Sequence, residues 1–433
     1  MRSLVSPGVL FVAMTGCGSV STQPDASPVD DVAIDAPSEC PLGTTTMCSG
    51  ANEITCDGQG NITNTKACAL GCDGTSGQCS KVAPSNDLAQ FLDDAEEAQD
   101  LILSGQATID TDAGSVTDQS GARSPLTSTV TTGVPVGIFV IKVKAFTTGG
   151  SITVQGSRAL AIVASGDVTI GHNLSVSARN EVNGPGALPN DTTCTGKAPS
   201  AGNNEGKAGG GGGGFGTAGG RGGNGGSPSV NGGNGGGAAG TVELTPLRGG
   251  CPGGNTNPAT ANYFPGAGGG AIQVVSATSI TVTQNGSISA NGTGARGPVG
   301  PLFCLADTPC GYGMGGGSGG AILLEAPSIT VAGGLYANGG GGTCSTYGSA
   351  SSGANSATPA SGQTCSGQTG NGGAGAAGAI GAQPGVNKNG LDAVGGGGGG
   401  GAGRIRINLP TGQTFTPTGT ISPGQTAGAL GIR

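Results

Sequence analysis

No feature of this sequence narrows its possible folds more than its glycine runs. The stretch GKAGGGGGGFGTAGGRGGNGG at 206–226 has almost no side chains to bury, and glycine-rich sequence fills roughly 180–267, 293–316 and 340–400. In all, 95 of 433 residues are glycine, about three times the ordinary share of ~7%. Ordering a glycine costs about 0.5–1 kcal/mol more than ordering an alanine, so such a run is held only where bare backbones touch and hydrogen-bond directly. Two outcomes stay open: polyglycine-II-like bundling of extended strands, or disorder. An ordinary helical or α/β globule is excluded.

Outside the glycine tracts the apolar period is two. Ile138-Phe139-Val140-Ile141, Ser151-Ile152-Thr153-Val154 and Ala159-Leu160-Ala161-Ile162-Val163 are short, β-branched and punctuated by glycine, which reads as short strands. A repeat then appears: residues 269–292 align with 319–339. Ile272 matches Ile322, Val274 matches Leu324, Ile280 matches Ile329, Val282 matches Val331, Ile288 matches Leu335 and Asn291 matches Asn338. Weaker copies lie at 158–178 and 403–424. Strands of three to five residues are too short for a sandwich but suffice where each is laid on its equivalent in the previous turn, ~4.8 Å away. The expected fold is therefore all-β, a parallel β-solenoid or β-helix over 106–433 with its glycine-rich insertions hanging outside the stack.

The leading part is a different polymer. Residues 1–129 hold four Lys/Arg against 17 Asp/Glu, and 130–433 hold 13 against eight. So slight a basic excess over the second part is too dilute to track phosphates, and nucleic acid is not an expected partner. Residues 84–105 carry Leu88, Phe91, Leu92, Ala95 and Ile102 at helical spacing, predicting one amphipathic helix capped by Ser85 or Asn86 and ended by Gly105. Its apolar stripe is expected to cover the open first rung of the stack. The alternative is a solvated spacer helix.

Thirteen cysteines include Cys17 and two even sets. Cys40, Cys48, Cys56, Cys68, Cys72 and Cys79 crowd residues 40–80, a module too small to build a core and so expected to rely on three bridges whose pairing the spacing leaves open. Cys194 and Cys251, Cys304 and Cys310, and Cys344 and Cys365 fall two to an insertion, predicting one bridge in each. With no Cys-x-x-Cys and only His172, no metal or other cofactor is expected.

Residues 1–17 read MRSLVSPGVLFVAMTGC: a basic start, an apolar run too short to span a bilayer, then small residues and a cysteine. Met14-Thr15-Gly16-Cys17 resembles the lipobox of bacterial lipoproteins. That resemblance implies a signal peptide over 1–16, acylation of Cys17, and, with Gly18 following, an outer-membrane location. Residues 17–39 then read as an acidic flexible tether. The spacing within 40–80 resembles small secreted cysteine knots, and the remainder resembles glycine-rich β-solenoid surface proteins of the adhesin kind. Together these imply membrane attachment through lipid, binding to glycans or matrix, and no reaction. Nothing in the sequence sets an oligomeric state.

The motifs of catalysis are weak here. Gly214–Gly219 fits G-x-G-x-x-G and Gly316–Gly320 fits G-x-S-x-G around Ser318, but such matches arise by chance at this glycine density. A polysaccharide lyase or glycoside hydrolase on the same scaffold is the alternative reading. Its candidate acids are Asp167, Glu243 and Glu325, with Tyr263, Tyr312, Tyr336 and Tyr347 as sugar platforms, and it needs two such groups to converge. Thr153, Thr281 and Thr330 recur at one beat and are expected on an outward, solvated ladder.

Overall fold

The computed structural model describes residues 40–131, 135–199, 207–255, 263–297, 312–344 and 348–433. The predicted signal peptide 1–16, Cys17, the tether 17–39, Cys304, Cys310 and Tyr347 lie outside the described residues.

The described chain is almost entirely β-structure, dominated by three parallel ladders visited in rotation. The first comprises Ile138–Val143, Ala159–Ala164, Ala271–Ser276, Ala321–Glu325, Arg404–Leu409 and Thr426–Ala429. The second comprises Leu101–Leu103, Phe146–Thr148, Val168–Ile170, Ser279–Val282 and Ser328–Val331. In the third lie Ala107–Asp110, Ile152–Gln155, Asn173–Ser175, Ser287–Ser289, Gly334–Tyr336 and Thr420–Ser422. Alternation along each strand turns its aliphatic residues to one interior. Leu160, Ile272, Ile322 and Ile405 are successive register partners, all buried in one core with Phe146, Ile280, Ile288 and Leu335.

Both ends of this stack are finished by other means. Ser115–Asp118 pairs antiparallel with Ala107–Asp110 and with Gly121–Arg123, while Leu126–Val130 runs antiparallel to Ile138–Val143. At the far end, Phe415 packs against the core, and Thr418 and Gly419 donate their N–H groups to the carbonyl of Val331.

The predicted helix is shorter and sits elsewhere. Only Ala89–Asp94 is α-helical, followed by a single 3₁₀ turn at Ala95–Glu97, and Leu101–Leu103 is already a strand of the second ladder. Asn86 and Asp87 adopt positive φ, and the Ser85 and Asn86 side chains bond to distant partners instead of capping the helix. Leu88, Phe91 and Leu92 lie on the outer face of the first ladder with Val140, Ala161, Val275 and Leu323. The helix therefore covers a flank, not the first rung. Together with Phe215, Leu244 and Leu247 it buries the outer face of the first ladder from Ile138–Val143 to Ala321–Glu325, which explains continuous apolar strands such as ALAIVA at 159–164.

The described parts of the glycine tracts are hydrogen-bonded throughout, and they do not hang outside the stack. Residues 266–270, 315–320 and 397–403 run straight into first-ladder strands. Along 209–214 the hydrogen bonds rotate every third residue, the period of an extended threefold helix. Gly209 and Gly212 donate to Gly223 and Gly220, Gly210 and Gly213 to Gly313 and Gly316, and Gly211 and Gly214 to Lys197 and Cys194. The same segment accepts bonds from Gly233 and Gly236, from Gly398 and Gly401, and from Gly254. One bare strand is thus ringed by six neighbours. Two added carbons show why no side chain is tolerated: a Cβ on Gly212 would lie 1.8 Å from the Gly399 oxygen, and one on Gly209 1.9 Å from that of Gly396.

Within 40–80, disulfides join Cys40 to Cys56, Cys48 to Cys72 and Cys68 to Cys79 around a three-stranded antiparallel sheet. In the glycine-rich region Cys194 is bonded to Cys251 and Cys344 to Cys365. No helix among the described residues is long and apolar enough to cross a membrane.

Candidate functional site

The candidate catalytic acids do not converge. Glu325 is wholly buried beneath the amino-terminal segment, where its oxygens accept bonds from the Ser85 N–H and hydroxyl, from Gln273 Nε2 at 2.6 Å and from Asn408 Nδ2 at 2.9 Å. Burying a carboxyl is tolerable only with such satisfaction, and its role is to clasp residues 85–86 to the first ladder. Asp167 stands on the second ladder, held below the ordinary carboxylate value by hydrogen bonds from the Thr278 and Ser279 hydroxyls. Glu243 lies near Arg404, whose guanidinium burial shifts down while Glu243 opposes the shift. Three acids thus occupy three separate settings.

The remaining motifs are structural in the same way. Ser318 is fully buried, accepting from the Cys251 N–H and donating to the Cys251 carbonyl. Gly214–Gly219 belongs to the glycine bundle. Glu53 lies beside the sulfurs of Cys68 and Cys79, but those sulfurs are bonded to each other and Glu53 Oε2 accepts the Cys79 N–H. Tyr336 packs with its ring across Gly334, and the Tyr263 and Tyr312 rings lie 6.5 Å apart.

Two outer faces differ in cover. On the second ladder Thr147, Thr169, Thr281 and Thr330 are consecutive register partners with side chains reaching solvent. Thr153 does not join them: it lies beside Thr108 in the third ladder. The later rungs of that third ladder are covered by the segment around Asn355, which bonds to Asn173 and Asn291. Asn291 Oδ1 in turn accepts the Asn338 N–H, and Asn338 Oδ1 accepts the Ser422 hydroxyl.

A cleft of about 390 Å³ opens where extended glycine-rich segments meet the turn at 179–182. Phe264 pairs with Arg296, and Arg296 with Ser349, as antiparallel bridges. Alternation turns Tyr263 and Ala295 inward, where they pack with Met314, and leaves Phe264 and Arg296 on the cleft side. Arg296 Nη1 donates to Glu181 Oε1 at 2.6 Å, with the two side chains 42% and 29% exposed. Asn180, Ser349 and Ser352 complete the polar wall. A Cβ on Gly294 would meet the Ala350 oxygen at 2.3 Å, so the floor is bare backbone.

No family model, curated protein or solved structure matches the chain. Function must therefore be argued from its own residues. None of the cleft residues carried a sequence signal, because the cleft is assembled from segments that belong to different turns of the repeat. Only the Asn291–Asn338 match pointed to the junction where third-ladder strands pass into the glycine bundle.

Proposed function

We propose that this chain is a non-enzymatic lipoprotein of the bacterial outer membrane, acylated at Cys17 and displaying a parallel β-solenoid for adhesion to glycans or extracellular matrix. The observation that carries the reading is the rotation of the chain through three ladders whose aliphatic residues share one interior. Such a body is stiff, leaves the second ladder and the cleft facing outward, and engages Asp167 and Glu325 in hydrogen bonds of its own. The disulfides favour an exported compartment. Two acyl chains or more would hold the protein at the membrane without a spanning helix.

The test is metabolic labelling with an alkyne fatty acid, read together with protease accessibility on intact cells. Label on the wild type, its loss in Cys17→Ser, and cleavage of the wild type by external protease are the expected results. A Cys17→Ser protein that stays labelled, or a wild type shielded from protease on intact cells, sinks the reading.

A further inference from the structure

Resting on the adhesive reading, we propose that the cleft between Asn180–Glu181, Phe264, Arg296 and Ser349–Ser352 is a binding subsite for one uncharged sugar residue of a glycan. A pyranose has two chemistries on one ring: a face of C–H groups and an edge of neighbouring hydroxyls that both donate and accept. The cleft presents the counterpart of each. Phe264, 36% exposed, offers the apolar surface. The Glu181–Arg296 pair supplies an acceptor and a fork of donors side by side, and its charges cancel, which matches a neutral ligand better than an anionic one. Arg296 spends only Nη1 on Glu181, and its other N–H groups have no protein partner among the described residues. The Asn180 amide and the Ser349 hydroxyl extend the hydrogen-bonding edge, while Ser352 Oγ accepts the Gly294 N–H at 3.2 Å and fixes the wall.

The site is also held rigidly, as recognition of a small polar ligand requires. Phe264 and Arg296 exchange backbone bonds of 3.0 and 2.8 Å, and the Ala350 N–H donates to Ala295 at 3.0 Å. The volume of about 390 Å³ is that of a small-ligand pocket. Glycine at 294 is part of the design, since any side chain there would collide with the neighbouring backbone and fill the floor.

The experiment is a glycan array of neutral and acidic oligosaccharides probed with the disulfide-intact chain, followed by titration calorimetry on the best neutral ligand. Binding of neutral glycans is expected to weaken at least tenfold in Phe264→Ala and Arg296→Ala, and to be kept within threefold in Phe264→Tyr and in Thr330→Ala on the second ladder. Unchanged melting of each variant shows that the fold is intact. Array binding restricted to acidic glycans and abolished by salt, no glycan binding by the wild type, or neutral-glycan binding indifferent to Phe264→Ala would each overturn the assignment. Surface exposure and acylation are read independently, so a wild type that is displayed and labelled yet binds no neutral glycan defeats the subsite and leaves the display reading standing.

Discussion

Glu325 shows how far a residue's type can mislead about its work. By sequence it is a candidate acid; in the fold it is the point to which Ser85, Gln273 and Asn408 all donate. Truncation orphans those buried donors, and each unsatisfied group costs about 1–3 kcal/mol. Glu325→Ala should therefore lower unfolding stability by about 3 kcal/mol or more in urea titration, with Glu325→Gln milder because one acceptor oxygen remains. A loss below about 1 kcal/mol would show that the clasp contributes little. Asp93 makes a second residue-scale case. The hydrogen bond from Arg433 is the main cause holding it below its ordinary value of 3.8, with Lys81 adding to the effect and burial opposing it. A depressed folded value means that this stabilisation is complete above the ordinary value and is lost as pH falls below it. Protection from hydrogen exchange at residues 81–83 and 430–433, taken relative to the intrinsic rate at each pH, should thus fall on acidification through that range, and Asp93→Asn should remove the dependence.

At the scale of elements, the repeat was the most legible part of the sequence. Each aliphatic match between 269–292 and 319–339 is a register pair in the ladders, from Ile272 beside Ile322 to Ile288 beside Leu335. Period-two alternation carries that information because inward positions must be apolar on every rung. The helix was less legible. Ile102 keeps helical spacing with Leu88 and Phe91, yet Leu101–Leu103 gains a parallel neighbour in Phe146–Thr148 that no local pattern announces. The glycine tracts were the least legible, since ordering depends on six neighbours scattered over the chain. Their packing makes a sharp prediction. Gly212→Ala should cost about 3 kcal/mol or more through overpacking, because its Cβ meets backbone, whereas Gly74→Ala, with nothing within 4 Å, should be close to neutral. Equal melting temperatures for the two variants would mean that the bundle is looser than its hydrogen bonds imply.

Over the whole molecule, the segment that follows the disulfide-bonded module is tied to the last residues of the sequence. Lys81 and Arg433 exchange backbone bonds of 2.8 and 2.9 Å, Ala83 N–H donates to Gly431, and Leu430 enters the cluster on the outer face of the first ladder with Val82, Leu88 and Phe91. The amino-terminal segment is therefore held from two sides, by the last residues of the chain and by Glu325 on an inner rung. Sequence could not show this closure, because the residues involved lie some 350 positions apart and none is distinctive in type. Removing residues 430–433 withdraws a buried leucine, worth about 2–5 kcal/mol, together with those backbone bonds. If the closure is cooperative, hydrogen exchange should accelerate both in 81–99 and in the Ala321–Glu325 strand beneath it, although the latter touches none of the deleted residues through the hydrogen bonds described. Acceleration confined to Thr426–Ala429 would mean instead that the carboxy-terminal strand frays alone and that the Glu325 clasp suffices to hold the segment. The two outcomes separate a molecule locked as one unit from a stack with an independent last rung.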